Sequence, residues 1–298
     1  MSADIPESMP HGTETSPAVQ QQPAESGARR AVSRRDFLKK TGLLAAGILT
    51  PAVALEVIFG LKGAGAAQAE GLATAAKTTP HWQFLVDTNK CVGCGFCVKA
   101  CKLENEIPYT LNASRTWVER HVITKDGESH VDSPHAGQYG FTEPEIDLGE
   151  GKTLAIAPED ISKAFFVPKL CNQCNHPPCV QVCPVGATYK SPDGVVLVDR
   201  KWCIGCGYCV NACPYGARFF HPKYHTAEKC TFCEHRISKG LKPACVQACA
   251  FGARQIGDQN DPADPVAEVV ATRRVEVLKA EFGTDPQCFY LGMDAEVR

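Results

Sequence analysis

The sequence predicts an α+β protein made of two nested modules of one kind, with a β-rich insertion and a short C-terminal extension. Three observations predict it. Sixteen of the seventeen cysteines in the 298 residues fall in four tight groups between Cys91 and Cys249. Two groups are near copies, Val92-Gly93-Cys94-Gly95-Phe96-Cys97-Val98 against Ile204-Gly205-Cys206-Gly207-Tyr208-Cys209-Val210, and an internal repeat means a repeated module. Short strand candidates precede, separate and follow the groups.

Composition sets the outer limits. With 44 % apolar and 21 % charged residues, neither wholesale disorder nor a polytopic membrane protein fits, and a net charge of -2 gives no basic excess for nucleic acid. The opening stretch to Gly27 is rich in Ser, Pro, Gln, Thr and Glu and is predicted to be disordered. It runs into Ser33-Arg34-Arg35-Asp36-Phe37-Leu38-Lys39-Lys40, which resembles a twin-arginine export signal, followed by an apolar stretch from Leu43 to Leu61 and a small-residue run from Gly63 to Ala69. Ala67-Gln68-Ala69 fits an A-x-A cleavage site, so residues 1–69 are expected to be a signal cleaved after Ala69. An uncleaved anchor is the alternative, since about twenty apolar residues span a bilayer, and Pro51 and Glu56 weaken it.

The cysteine spacing carries the chemistry. Group one is Cys91, Cys94, Cys97, Cys101, spaced C-x2-C-x2-C-x3-C, and group three, Cys203, Cys206, Cys209, Cys213, repeats it with Pro214 next. Group two is Cys171, Cys174, Cys179, Cys183 with Pro184 following, its middle gap widened by His176-Pro177-Pro178. Group four is Cys230, Cys233, Cys245, Cys249. A disulfide framework belongs to small coreless domains, and cysteines this close in sequence bridge poorly. Zinc takes pairs of ligands, which only group four resembles. Three cysteines at successive x2 gaps wrap three corners of a cuboidal cluster, and C-x2-C-x2-C-x3-C-P is the run of bacterial ferredoxins, whose fourth cysteine serves the other cluster. Four 4Fe-4S clusters are therefore expected. Zinc or a three-iron cluster at one position stays open, as does a zinc-binding structural module as the distant alternative for the whole chain. Export fits this chemistry, because clusters loaded in a reducing cytoplasm are protected if the protein leaves folded.

Between Cys183 and Cys203 lie a Pro192-Asp193-Gly194 turn and a strand candidate from Val195 to Val198, the linker of a two-cluster ferredoxin. Groups two and three then form an inner module (170–213) by exchanging last cysteines: Cys171, Cys174, Cys179 and Cys213 hold one cluster, and Cys183, Cys203, Cys206 and Cys209 the other. Groups one and four pair around it as an outer module (83–101 plus 214–257), flanked by strand candidates Gln83 to Asp87 and Arg254 to Gly257. Cys91, Cys94, Cys97 and Cys249 hold its first cluster, and Cys101, Cys230, Cys233 and Cys245 its second. Sequential pairing of one with two and three with four is the alternative.

From Gln83 to about Ile256 these motifs resemble the four-cluster electron-transfer subunit of the dimethyl-sulfoxide-reductase family of molybdopterin oxidoreductases. The resemblance implies nested pairing, a catalytic oxidoreductase subunit as one partner and a quinone-reactive integral membrane subunit as the other. An equivalent subunit of a hydrogenase or multihaem nitrite reductase system is the alternative. Ala250 follows Cys249 where the ferredoxin motif has Pro, a departure expected to alter a turn and leave ligation intact.

The remaining features read more plainly. His176 and His235 lie beside cysteine groups but are expected to be non-ligands, and Cys288 to be a small buried apolar residue. Lys229, Arg236, Lys239 and Lys242 read as a solvated loop, or as positive charge at a docking surface or near a cluster. The β-rich insertion (102–169) holds a strand candidate from Trp117 to Thr124 and a hairpin turn at Lys125-Asp126-Gly127-Glu128. In the extension (258–298), Asp264-Pro265 opens a helix to about Arg273. The export signal leads to the expectation of a periplasmic mature protein, and with no long apolar stretch after Ile256 its contact with the outer face of the cytoplasmic membrane is expected to come through a partner. No acid-base pair, P-loop or dinucleotide fingerprint occurs, and the chain is expected to have no catalytic site of its own. Replacing Arg34 and Arg35 by Lys should leave the precursor in the cytoplasm with clusters assembled, read by fractionation and iron content.

Overall fold

The computed structural model describes residues 79–297, so the expectations for residues 1–69 lie outside the described residues. The two expected outer strands form and pair. Trp82–Asp87 is almost wholly buried and runs antiparallel to Arg254–Asp258, with Trp82 opposite Asp258 and Val86 opposite Arg254. Its apolar side chains point to both faces, as in a strand covered on both sides.

The C-terminal residues differ from an appended extension. Cys288–Leu291 lies parallel to Trp82–Asp87 on its other edge, and Val275–Glu276 pairs antiparallel outside it, completing a four-stranded sheet. Four apolar residues bounded by Pro286 and Gly292 are a buried-strand signal. The Pro265–Thr272 helix starts where expected: the Asp264 carboxylate accepts from the Val266 and Ala267 amides at 2.7 and 3.2 Å and from the Asp258 amide at 2.9 Å. A Cβ on Gly257 would come within 2.1 Å of Asp264 Oδ1, so only glycine lets strand and cap approach this closely.

Between Cys101 and Cys171 the chain forms a three-stranded antiparallel sheet, with Thr116–Thr124 between Ser129–Asp132 and Ile161–Leu170. The expected turn joins the first hairpin, with Gly127 at φ +88°. Buried ion pairs hold this sheet. Arg120 meets Asp132 through two bonds of 2.6 and 2.9 Å, and Lys169 meets Glu119 at 2.7 Å. Burial alone would raise the Glu119 carboxyl, but hydrogen bonds from His121, Lys169 and Trp117 and the Lys169 charge bring it down to about 2.

Two small hairpins repeat each other around the middle cysteine groups. Thr188–Lys190 pairs with Val196–Val198 across the expected turn, and Phe219–Phe220 pairs with Ala227–Glu228. The main core joins all these pieces: Phe84, Val86, Val98, Val167, Phe232 and Tyr290 pack with Cys97, Cys171 and Cys230, and the rings of Phe84 and Phe232 stack at 5.4 Å. Replacing Asp264 by Ala should cost about 1 kcal/mol and lower Tm by about 2–4 °C, with faster hydrogen exchange confined to Pro265–Thr272.

Candidate metal centres

Group one begins as a tight loop and ends in the Phe96–Glu104 helix. Gly93 and Gly95 sit at φ +68° and +75°, and a Cβ on Gly95 would lie 2.2 Å from the Gly137 carbonyl, so the loop closes only with glycine there. Group three repeats this with Gly205 and Gly207 at φ +69° and +81° before a helix at Tyr208. Group two reaches a left-handed conformation without glycine, at Gln173 with φ +46°. Its amide secures the turn, donating to the Cys230 carbonyl at 2.6 Å and accepting from the Val196 amide at 2.7 Å.

Neighbouring sulfurs come from different groups. Cys91, Cys94, Cys97 and Cys249 line one small cavity with Arg254. Cys101 faces Cys245 and Cys233, and Cys230 faces Cys101 and Cys245, all buried. Cys174 faces Cys171, Cys179 and Cys213. In the remaining set the Pro178–Gln181 helix packs on Tyr208–Asn211, Cys209 is buried and Cys206 is exposed. Cys183 interacts chiefly with its own loop, where the Thr188 amide donates to its Sγ at 3.4 Å.

The donor chemistry suits an iron-sulfur cluster. Backbone amides of Ala227 and Phe232 also donate to Cys203 and Cys230 at 3.4 Å, the bonding that stabilises thiolate ligands. Burial pushes the Cys91 thiol up to about 11 and Cys174 and Cys245 to about 12, and a bound cation favours the thiolate form that ligation needs. Cys183 moves the other way: burial would raise it, but the amides of Thr188, Val185 and Ala187 lower it. Among the described residues no three His, Cys, Asp or Glu side chains converge tightly enough for a single metal ion. A cuboidal cluster holds its thiolates farther apart.

The neighbouring histidines and basic residues take other roles. His235 Nε2 meets Glu104 Oε1 at 2.7 Å, and the His176 amide donates to the Thr284 carbonyl at 3.0 Å. Arg236 pairs with Glu104 at 2.8 Å, whereas Lys229 is fully buried and no part of a solvated loop. The turn after Cys249 is not altered by Ala250. Gly252 donates to the Cys249 carbonyl at 3.2 Å, as Gly186 and Gly216 do to Cys183 and Cys213 at 3.3 Å, because the turn needs the glycine and not the proline. The buried cations Arg218 and Arg254 escaped the reading of the sequence. Their signal was a repeat, Cys213-Pro-Tyr-Gly-Ala-Arg218 against Cys249-Ala-Phe-Gly-Ala-Arg254.

Residues 90–187 and 162–259 each match the 4Fe-4S dicluster domain family, two overlapping windows that share group two. Over 272 residues the chain is 38 % identical to a tetrathionate reductase subunit of Salmonella typhimurium, covering 90 % of this chain and 92 % of that one. It is 37 % identical to a selenate reductase subunit of Mesobacillus selenatarsenatis, over 71 % of this chain and 72 % of that one. It is 33 % identical to the arsenate respiratory reductase iron-sulfur subunit of Shewanella sp., over 70 % and 94 %. The chain belongs to the iron-sulfur electron-transfer subunits of the dimethyl-sulfoxide-reductase family. Two dicluster domains give four 4Fe-4S clusters, and the catalytic activity of such complexes resides on another subunit. Cys288 is fully buried beside Tyr290, where burial raises its thiol to about 12. Replacing Cys288 by Ala should leave the iron content of anaerobically purified protein unchanged, while Cys174→Ala should lose about one cluster's iron.

Proposed function

We propose that this subunit is exported folded, has its signal removed after Ala69, and carries electrons between a quinone-reactive membrane subunit and a molybdopterin catalytic subunit. The clusters supply one-electron relay sites. The protein's part is to fix their order, bury them and set their charge environment. Relatives named for tetrathionate, selenate and arsenate reduction share this subunit type, so the choice of substrate belongs to the catalytic partner.

Within the chain, the ligand sets are nested. Cluster 1 is held by Cys91, Cys94, Cys97 and Cys249, cluster 2 by Cys101, Cys230, Cys233 and Cys245, cluster 3 by Cys171, Cys174, Cys179 and Cys213, and cluster 4 by Cys183, Cys203, Cys206 and Cys209. The observation that carries this is the buried meeting of Cys101 with Cys233 and Cys245, residues far apart in sequence. The shared cavity of Cys91, Cys94, Cys97 and Cys249 supports it, as does the pairing of Trp82–Asp87 with Arg254–Asp258, which closes the outer module around the inner one. The three-stranded sheet of 102–169 is then an insertion in the outer module. It is tied back through Arg115, whose guanidinium meets Glu228 at 2.7 Å two residues before Cys230.

Several exposed aromatics adjoin cysteines in sequence: Phe96 beside Cys97, Trp202 beside Cys203 and Tyr208 beside Cys209, while Phe251 lines the cavity of Cys91, Cys94, Cys97 and Cys249. Such surfaces suit the two partner subunits. Purified holoprotein should contain about sixteen iron and sixteen acid-labile sulfide. In Cys101→Ser, the disturbed cluster signal should be the one that Cys245→Ser also disturbs; coincidence with Cys171→Ser instead would make the pairing sequential.

A further inference from the structure

Six cationic side chains are buried in the described residues: Lys102, Arg115, Arg120, Arg218, Lys229 and Arg254. Arg115 and Arg120 have carboxylate partners, and Lys102 donates to the Leu111 carbonyl. The other three have no carboxylate partner among the described residues, and cysteine sulfur lies near each.

Arg254 is 2 % exposed, and neither Nη1 nor Nη2 has a hydrogen-bond partner. It lies near Cys97, Cys245 and Cys91, and lines a cavity with Cys91, Cys94, Cys97 and Cys249. Arg218 is 4 % exposed; Nη1 donates to Thr188 Oγ1 at 3.3 Å and Nη2 is unpartnered. It lies near Cys179, Cys171 and Cys209. Lys229 is fully buried, with Nζ donating to the Val196 carbonyl and, at 2.8 Å, to the Cys230 carbonyl, and it lies near Cys171, Cys230 and Cys179 and also near Arg218.

With the ligand sets proposed above, each cation occupies a different gap: Arg254 between clusters 1 and 2, Lys229 between 2 and 3, Arg218 between 3 and 4. A buried cation without a negative partner is strongly disfavoured. A cubane bound by four thiolates carries net negative charge that grows by one on reduction, and so supplies the partner the protein omits. In a poorly screened interior this attraction favours the reduced form of whichever cluster lies near. We propose that Arg254, Lys229 and Arg218 are gap cations of the electron path, each raising the reduction potential of the two clusters it separates. Clusters 2 and 3 each adjoin two of these cations, and clusters 1 and 4 one.

The test is a redox titration of the purified holoprotein followed by electron paramagnetic resonance, with iron measured in parallel and signals assigned through Cys91→Ser, Cys245→Ser, Cys171→Ser and Cys206→Ser. Arg254→Met should make reduction of clusters 1 and 2 at least about tenfold less favourable, about 59 mV for one electron, and leave cluster 4 in place. Arg218→Met should do the same to clusters 3 and 4, and Lys229→Met to clusters 2 and 3. Arg254→Lys should keep most of the native potential. Full iron with unmoved midpoints, or equal movement of all four, overturns the proposal. Two clusters moving together that are not the pair named leaves the gap cations standing and overturns the nested ligand sets instead. Loss of iron in Arg254→Met but not in Arg254→Lys also shows that charge is what the gap requires, whereas loss in both overturns it.

Discussion

Buried sulfur takes much of the place that branched aliphatic side chains hold in an ordinary core. Cys97, Cys101, Cys171, Cys230, Cys233 and Cys245 are buried among Phe84, Val98, Val167 and Phe232. Burial drives most of these thiols toward the protonated state, and positive iron among them opposes that by favouring the thiolate. Regular structure is correspondingly slight around the sulfurs. Apart from the nine-residue Phe96–Glu104 helix that carries Cys97 and Cys101, helices of four residues and strands of two or three are enough, because the cysteine loops and the groups they bind do the cross-linking that long elements do elsewhere.

Close approach of backbone to sulfur is the second requirement, and it explains the left-handed residues. Gly93, Gly95, Gly205 and Gly207 turn two loops, while Gln173, Phe232 and Cys233 adopt positive φ without glycine in the other two. The strain is held by buried contacts: Gln173 by bonds to Cys230 and Val196, Phe232 by stacking on Phe84. The same contacts bind segments that are distant in sequence, so loop conformation and module packing are fixed together.

Charge is arranged with equal economy. The peripheral cations of the three-stranded sheet have carboxylates, as with Arg120 and Asp132, and stabilise the sheet by ordinary pairing. Arg254, Lys229 and Arg218, beside the sulfurs, have none among the described residues, and in the proposal above the clusters supply their counter-charge. A protein that moves one electron at a time through a buried path benefits from this, since a cation paired to a carboxylate would be largely neutralised before any electron arrived.

Local spacing determined the most. The C-x2-C-x2-C-x3-C runs, their glycines and the repeat between groups one and three identified the cluster type, and the strand from Gln83, the Gly127 and Gly194 turns and the Asp264 cap were all legible because each rests on contacts within a few residues. What only the tertiary structure decided is long-range. Cys288–Leu291 completes the first sheet through pairing with a strand some two hundred residues earlier. Lys229 stayed open between a solvated or docking surface and a place near a cluster, because sequence reports a charge but not which side of the chain faces inward. Arg218 and Arg254 stand five residues after a cysteine in each module, yet their meaning depends on sulfurs contributed by other groups, and folding alone brings those sulfurs to them.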